Sequence, residues 1–403
     1  MDGLLSGIRV IDCGTYVAGP AAASVMSDFG AEVIKIERPG GGDLWRLFSR
    51  LPGSAHAELD WCWVLTGRNK KSVALDLAQP DGREALLRLV RTADVFVTNY
   101  QRGLLAKFGL RYEDLALINE RLVYAHLTGY GDAGEDADDP AFDALAYWAR
   151  SGLMMSVTGM DGTPAGPRPG MGDHPTSMSL FGAIMLGLYN REKTGRGGRV
   201  TTSLLASGAW ANACDIQAKL CKAVFPQRGA SKAPPNPLTA AYVTRDAKLF
   251  LLVQIDPDNE FPRLCKVFGQ PELATSELFR DNEARERNAE ALHAILASQF
   301  ETRDLAEWRE IFKRNDIKFA PLPTLDDVVK DPQLRAANAL VKFDNPQSGV
   351  TETVNSPVFV DGFPKRTPGA APDIGQHTRE ILAELGYDAA EIERLTAVNR
   401  NGR

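Results

Sequence analysis

The run Gly170-Met171-Gly172-Asp173-His174-Pro175 holds a carboxylate in a setting where covalent chemistry is available to it. Pro175 suits the first turn of a helix, which puts Asp173 at or just before that helix's N-terminus. The helix dipole and unpaired backbone N–H groups there favour the ionised form. An ionised aspartate close to flexible glycines can act as a nucleophile. The same placement describes a plain helix cap, and the local pattern leaves both readings open. His174 beside it could exchange a proton or sit at the surface. No G-x-S-x-G elbow and no Ser-His-Asp order accompany them, so a hydrolase triad is not indicated.

A second place for a ligand is Gly14-Thr15-Tyr16-Val17-Ala18-Gly19-Pro20, between a strand-like and a helix-like stretch. It is not the GxGxxG of a dinucleotide site, and Pro20 stands where a P-loop needs lysine. It reads either as a backbone turn approaching a ligand or as ordinary βα geometry. Cations recur near expected strand ends: Arg38, then Arg68, Lys70 and Lys71, then Arg102 and Lys107 behind Asn99 and Tyr100. Gathered at one sheet edge they would suit a phosphate-bearing ligand; singly, each reads as solvated charge. Six of the eight methionines fall within residues 151–199, which fits either an irregular apolar pocket or core filling.

These residues need elements to hold them. Residues 8–13, 31–37, 72–77, 94–98 and 121–128 read as strands, with helices at 21–29 and 81–91 between them. That alternation predicts a parallel α/β sheet with right-handed crossovers and ligands at its carboxyl edge. Helical stretches follow at 147–155 and 175–192. In the second, Met178, Phe181, Met185, Leu188 and Tyr189 are expected to form the buried face. Residues 200–210 read as strand, then helix. A proline cluster over 223–240 predicts a linker into a smaller α+β domain. That domain has paired strands at 241–244 and 249–254 and helices at 260–269, 283–299 and 304–315. A second linker is expected near Pro321 to Pro323, and a last helix over 376–385 between Gly375 and Gly386.

With 403 residues, 44% hydrophobic and 24% charged, the chain is long enough for two domains with a real core. A net charge of −6 gives nucleic acid no general attraction, so an anionic ligand needs a local cationic site. Five cysteines without a CxxC pair argue for reduced thiols rather than a disulfide framework or zinc site. Neither a signal-peptide pattern nor an 18-residue apolar run is present, so a cytoplasmic protein without a membrane span is expected.

Taken together, the motifs resemble those of the family III CoA-transferases, over nearly the whole chain. The resemblance is carried by Leu5-Ser6-Gly7-Ile8-Arg9-Val10-Ile11-Asp12, Ala18-Gly19-Pro20 and the run from Phe29 to Pro39. Asn69-Lys70-Lys71-Ser72, Asn99-Tyr100, Gly129-Tyr130-Gly131 and the run from Arg191 to Gly197 follow in the family's order. Asp331-Pro332-Gln333-Leu334-Arg335 and Gly375-Gln376-His377-Thr378 resemble its C-terminal marks. The resemblance implies a Rossmann-like large domain built from both chain ends, residues 1–222 and 326–403. A small α+β domain with its linkers, residues 223–325, is inserted between them, and two subunits interlock as a homodimer.

It further implies that Asp173 is the catalytic carboxylate. Coenzyme A contacts are implied for Tyr16, Val17, Ala18, Arg38, Asn69, Lys70, Lys71, Asn99, Tyr100, Lys107 and Phe108. The reaction moves CoA from an acyl-CoA donor to a carboxylic acid acceptor through aspartyl anhydride and aspartyl-CoA thioester intermediates. It takes CoA as substrate and needs no metal or tightly bound cofactor. Backbone N–H groups near Asp173 or at Tyr16–Ala18 are candidates to hold the oxyanions. Two departures stand out: Ser177 where the family often has glycine, and no glycine run in the small domain, which leaves its lid and the acceptor open. Arg46, Arg150 and Arg168 are candidates to pair a second substrate carboxylate, though surface roles fit them as well. The rival of the same fold, an α-methylacyl-CoA racemase, needs a histidine before Asp143. This chain has Phe142 there, which cannot exchange a proton.

Overall fold

The computed structural model describes residues 3–158, 163–225, 234–345 and 349–398. Residues 226–233 of the expected proline-rich linker, and Met160, lie outside them. The chain forms two compact units. One comprises Met1–Ser156, Gly166–Gln217 and Arg335–Arg403; the other comprises Val157–Ala165 and Ala218–Leu334.

The larger unit is built on six parallel strands: β1 (Arg9–Asp12), β2 (Glu32–Glu37), β3 (Lys71–Ala74), β4 (Val95–Thr98), β5 (Val123–Thr128) and β6 (Gly198–Ser203). Their order is β3-β2-β1-β4-β5-β6, so the chain reverses direction across the sheet between β1 and β4. The central strands are apolar on both faces because both are covered, as parallel sheets require. Ile11, Ile34, Val73, Phe96 and Tyr124 face one layer with Leu86 and Leu89 of the helix Pro80–Thr92. Val10, Val33, Val95, Val97 and Val123 face the other, with Ala22, Ala23 and Met26 of α1 (Ala18–Asp28) and Leu180 and Ile184 of the long helix Asp173–Thr194.

The buried stripe of that long helix differs from the expected one. Thr176, Leu180, Ile184, Gly187, Leu188 and Arg191 are buried, whereas Tyr189 is exposed and Met178, Phe181 and Met185 are half-buried. A Cβ on Gly187 would lie 2.7 Å from Val123 Cγ1, so glycine lets the helix settle onto the sheet. The C-terminal segment closes the same unit. His377 N–H donates to the Ser72 carbonyl (2.9 Å) and Ala74 N–H to Thr378 Oγ1 (2.9 Å), which docks the helix Thr378–Glu384 on β3.

The smaller unit carries an antiparallel sheet of β7 (Thr239–Val243), β8 (Leu249–Val253) and β9 (Phe319–Pro321). Phe250, Phe261, Phe300, Trp308 and Phe312 form its core. Two expectations change here. Pro321 belongs to an edge strand rather than a linker, a position that tolerates its missing N–H. The single helix expected over 283–299 is two, Asn282–Arg287 and Ala289–Phe300, interrupted where the Asn288 side chain donates to the Ala284 carbonyl at 2.9 Å. Among the described residues no helix is long and apolar enough to cross a membrane.

Candidate active site

The reversal between β1 and β4 brings the loops after these two strands together, the place where such sheets open a crevice. Asn99, after β4, clasps Thr15, after β1: its Oδ1 accepts the Thr15 N–H (2.9 Å) and its Nδ2 donates to the Thr15 carbonyl (2.8 Å). Tyr16 is held at φ +60°, a strained region for a large side chain. Bonds from below fix it there. The Asp43 carboxylate accepts Thr15 Oγ1, Tyr16 N–H and Trp45 N–H, each at 2.9 Å. Lys35 Nζ donates to the Gly14 carbonyl (2.6 Å) and pairs with Asp43 Oδ2 (2.7 Å). Lys70 Nζ donates to Asp12 Oδ2 (2.8 Å) and the Pro20 carbonyl (2.7 Å). Four fully buried charges thus sit under one loop.

Above the loop lies a cleft of about 450 Å³ with Asp173 in its wall. Asp173 is the first residue of the long helix and Gly172 is its N-cap. Among the described residues its carboxylate makes no hydrogen bond or ion pair, so it does not serve as a cap. A Cβ on Gly172 would fall 2.6 Å from the Tyr147 ring, which is why the Gly-Asp pair needs glycine. Asp143 opens a π-helical turn, Asp143–Arg150, and its Oδ2 accepts the Gly172 N–H at 3.2 Å. The dipole argument favours an ionised Asp173, yet the site reverses it. Burial first, and the neighbouring charge of Asp143 second, push its carboxyl up to about 7. A carboxylate poised near neutrality is more basic and less solvated, hence a stronger nucleophile.

One consequence is a pH dependence. If Asp173 is the attacking carboxylate that the resemblance implies, it acts only when ionised, and turnover should rise with pH through about 7 with the slope of one proton. In Asp143→Asn the rising limb should move to lower pH, since a like charge has gone, while burial keeps most of the shift. Rate–pH profiles of the two proteins check this; coincident limbs would refute the coupling.

Of the residues the sequence singled out, the structure brings Tyr16, Val17, Ala18, Asn99 and Asp173 to the cleft. Tyr100 lies beside it, its carbonyl 3.0 Å from His126 Nε2. The others are not brought there. Arg38 and Lys107 are exposed and Phe108 packs against the core of the sheet's other layer. Asn69 Oδ1 accepts the Gly369 N–H (2.8 Å), and Lys71 pairs with Glu32 (2.9 Å) and Glu380 (2.8 Å). Lys70 is committed to Asp12. No described methionine lines the cleft, and Met155 and Met171 are exposed. The Tyr16 N–H is spent on Asp43, which leaves the N–H groups of Val17 and Ala18, at the start of α1, as that loop's candidates for oxyanion donors. Arg46 is bound to both oxygens of Glu37 and stacks 3.6 Å from the Trp63 ring; Arg150 pairs with Asp136. Burial holds His174 below the usual imidazole range, with Arg68 adding to it, so it is neutral.

Cleft residues absent from the sequence reading include Trp45, Phe48, Leu127, Pro140, Pro169 and Leu204. No local pattern marks them; only the strand order collects them. Among the described residues no group of His, Cys, Asp and Glu is placed to hold a metal.

The chain matches CoA-transferase family III across residues 5–378. It belongs to that family. It is 33% identical over 399 residues to the cinnamoyl-CoA:phenyllactate CoA-transferase of Clostridium sporogenes, covering 97% of this chain and 96% of that one. It is 33% identical over 396 residues to the succinyl-CoA:glutarate CoA-transferase of Mus musculus, covering 97% and 88%. A CAIB/BAIF family protein from Brucella suis superimposes with a TM-score of 0.82 at 27% identity, over 96% of this chain and 100% of that one. This family III CoA-transferase moves coenzyme A from an acyl-CoA thioester to a free carboxylic acid. Phe142, in place of the histidine a racemase requires, lines its cleft with its ring edge-on to Tyr16 at 5.7 Å.

Proposed function

We propose that Asp173 is the covalent carrier of this transfer. The observation that supports it is an unpartnered carboxylate, raised to about 7, in the wall of the one described cleft that contains the Gly14–Ala18 loop. Its ionised oxygen attacks the thioester carbonyl, and the C–S bond breaks to give a mixed anhydride and CoA thiolate. The thiolate attacks the Asp173 carbonyl of the anhydride, which releases the first acid and leaves an aspartyl-CoA thioester. The acceptor carboxylate then displaces the thiolate from Asp173, and the thiolate takes the new acyl group from the resulting anhydride. Val17 and Ala18 N–H groups, at the start of α1, oppose the charge that develops on each carbonyl oxygen. Anhydrides hydrolyse, so the apolar walls matter as a barrier to water.

The pantetheine arm of CoA runs along Tyr16, Val17, Ala18 and Asn99 in this proposal. Tyr100, Phe108, Arg38, Lys71, Lys107 and Asn69 lie outside the cleft, where the nucleotide end is the part left to hold. Two subunits form an interlocked homodimer. Leu186, Tyr189 and Trp210 stand 71%, 59% and 82% exposed, an apolar surface that a partner subunit would cover.

The test is to incubate the enzyme with an acyl-CoA, quench in acid and map the peptides by mass spectrometry. The peptide containing Asp173 should carry the mass of CoA in thioester linkage, sensitive to hydroxylamine. Turnover with that peptide unmodified, and an adduct on another carboxylate, would transfer the role elsewhere.

A further inference from the structure

We infer that the acyl group exchanged in this cleft belongs to a monocarboxylic acid with an aryl or branched apolar substituent, and that dicarboxylic acids are poor substrates. This deepens the proposal for Asp173 and rests on it.

The walls are the first ground. Tyr16 and Phe142 meet edge-to-face at 5.7 Å and 89°, and both line the space beside Asp173. Phe142 is 52% exposed, an unusual solvent cost for a large ring unless a ligand covers it. Trp45 and Phe48, with rings 4.6 Å apart, add a second aromatic pair. Prolines 140, 167 and 169 complete a stiff boundary with no backbone N–H of their own to offer a ligand. Such a slot suits a flat ring or a branched methyl group.

Charge is the second ground. Asp143 and Asp173 both line the cleft, and a further anion there would add to the like-charge repulsion that already raises Asp173. The buried and half-buried neighbouring cations are occupied: Lys35 and Lys70 by Asp43 and Asp12, Arg46 by Glu37, and Arg68 by both oxygens of Asp28 at 3.1 and 2.8 Å; Arg168, between the lining Pro167 and Pro169, is exposed to solvent rather than part of the lining. Among the described residues, none that lines the cleft is Lys, Arg or His. A second carboxylate would enter an apolar space beside two aspartates with no cation in its lining, a desolvation cost that works against dicarboxylic acids.

The experiment is self-exchange. Each acyl-CoA is mixed with its own deuterium-labelled free acid, and label entering the thioester is followed by mass spectrometry, so no donor–acceptor pairing is presumed. Exchange of 3-phenylpropanoate, cinnamate and 4-methylpentanoate should exceed that of succinate and glutarate by at least ~100-fold in kcat/KM. Phe142→Ala should lower exchange of the aryl acids by roughly 10- to 100-fold, chiefly through KM, and that of propanoate by less. Succinate or glutarate exchanging as fast as the aryl acids would overturn the inference while leaving Asp173 as carrier intact. An unchanged aryl preference in Phe142→Ala would overturn the aromatic slot. If no acid of the panel exchanged, the proposal for Asp173 would fall, and this inference with it.

Discussion

Asp173→Ala should lose CoA transfer by at least ~10⁴-fold while still binding acyl-CoA, because every step of the proposed exchange passes through that carboxylate. The same position carries a stability signature that separates a carrier from a helix cap. A capping aspartate stabilises its helix, and its removal costs about 1 kcal/mol. Asp173 is in the opposite situation. Its folded-state pKa, near 7, lies above the ordinary aspartate value, so folding favours the protonated form. The stability it contributes is complete at pH below the ordinary value and is lost as pH rises through about 7. At pH 8 the wild type therefore holds a poorly solvated charge that Asp173→Asn lacks. The asparagine variant should be more stable at pH 8, by on the order of 2 kcal/mol after allowing for partial solvent screening, and nearly equal at pH 4. Thermal melts at the two pH values, alongside transfer assays, decide it. A variant that is inactive and less stable at pH 8 would identify a structural aspartate instead.

Much of this was open to a reader of the sequence, and the exceptions share a cause. The strands were legible because a doubly covered parallel sheet needs continuous apolar runs, and Val95-Phe96-Val97 or Val33-Ile34 leave little alternative. Gly172-Asp173 before Pro175 was legible as a helix start. Which stripe of that helix is buried was not. Its middle, residues 178–189, is apolar almost all round, and two overlapping stripes share Leu188. The choice is made by the close approach to Val123 that Gly187 permits, a fact about the neighbouring strand. The carboxyl's protonation was misjudged for a similar reason. The dipole is local and visible, whereas Asp143, 30 residues earlier, arrives by tertiary folding. The cations were the least legible. Their nearness to strand ends is real, but a position in the sequence does not say whether an ammonium faces outward to a ligand or inward to a buried aspartate.

Lys70 is where that difference has the largest consequence for stability. Its ammonium and the Asp12 carboxylate are both fully buried, 2.8 Å apart, and Lys35 and Asp43 complete a neutral group of two cations and two anions. Burial drives Asp12 upward, but Lys35 and Lys70 overcome it and hold the carboxyl below its usual range. Asp12 therefore stabilises the fold above the ordinary carboxylate range, and that contribution is lost as pH falls. Replacing such a group by an apolar set can be neutral, but removing one partner leaves an uncompensated charge. Lys70→Met, close in size to lysine, should thus cost about 3–5 kcal/mol. Asp12→Asn combined with Lys70→Met should recover a large part of that loss, since the stranded charge goes too. Asp12 also accepts the Gly14 N–H, and Lys70 donates to the carbonyl of Pro20 in the first turn of α1, so the single variant should loosen the Gly14–Ala18 loop and slow transfer as well. A lysine that grips a CoA phosphate behaves otherwise. Its loss raises KM steeply with salt-dependent binding and leaves the melting temperature unchanged. Denaturant melts of the single and double variants, read beside KM for acyl-CoA, distinguish a lysine that builds the loop from one that holds the ligand.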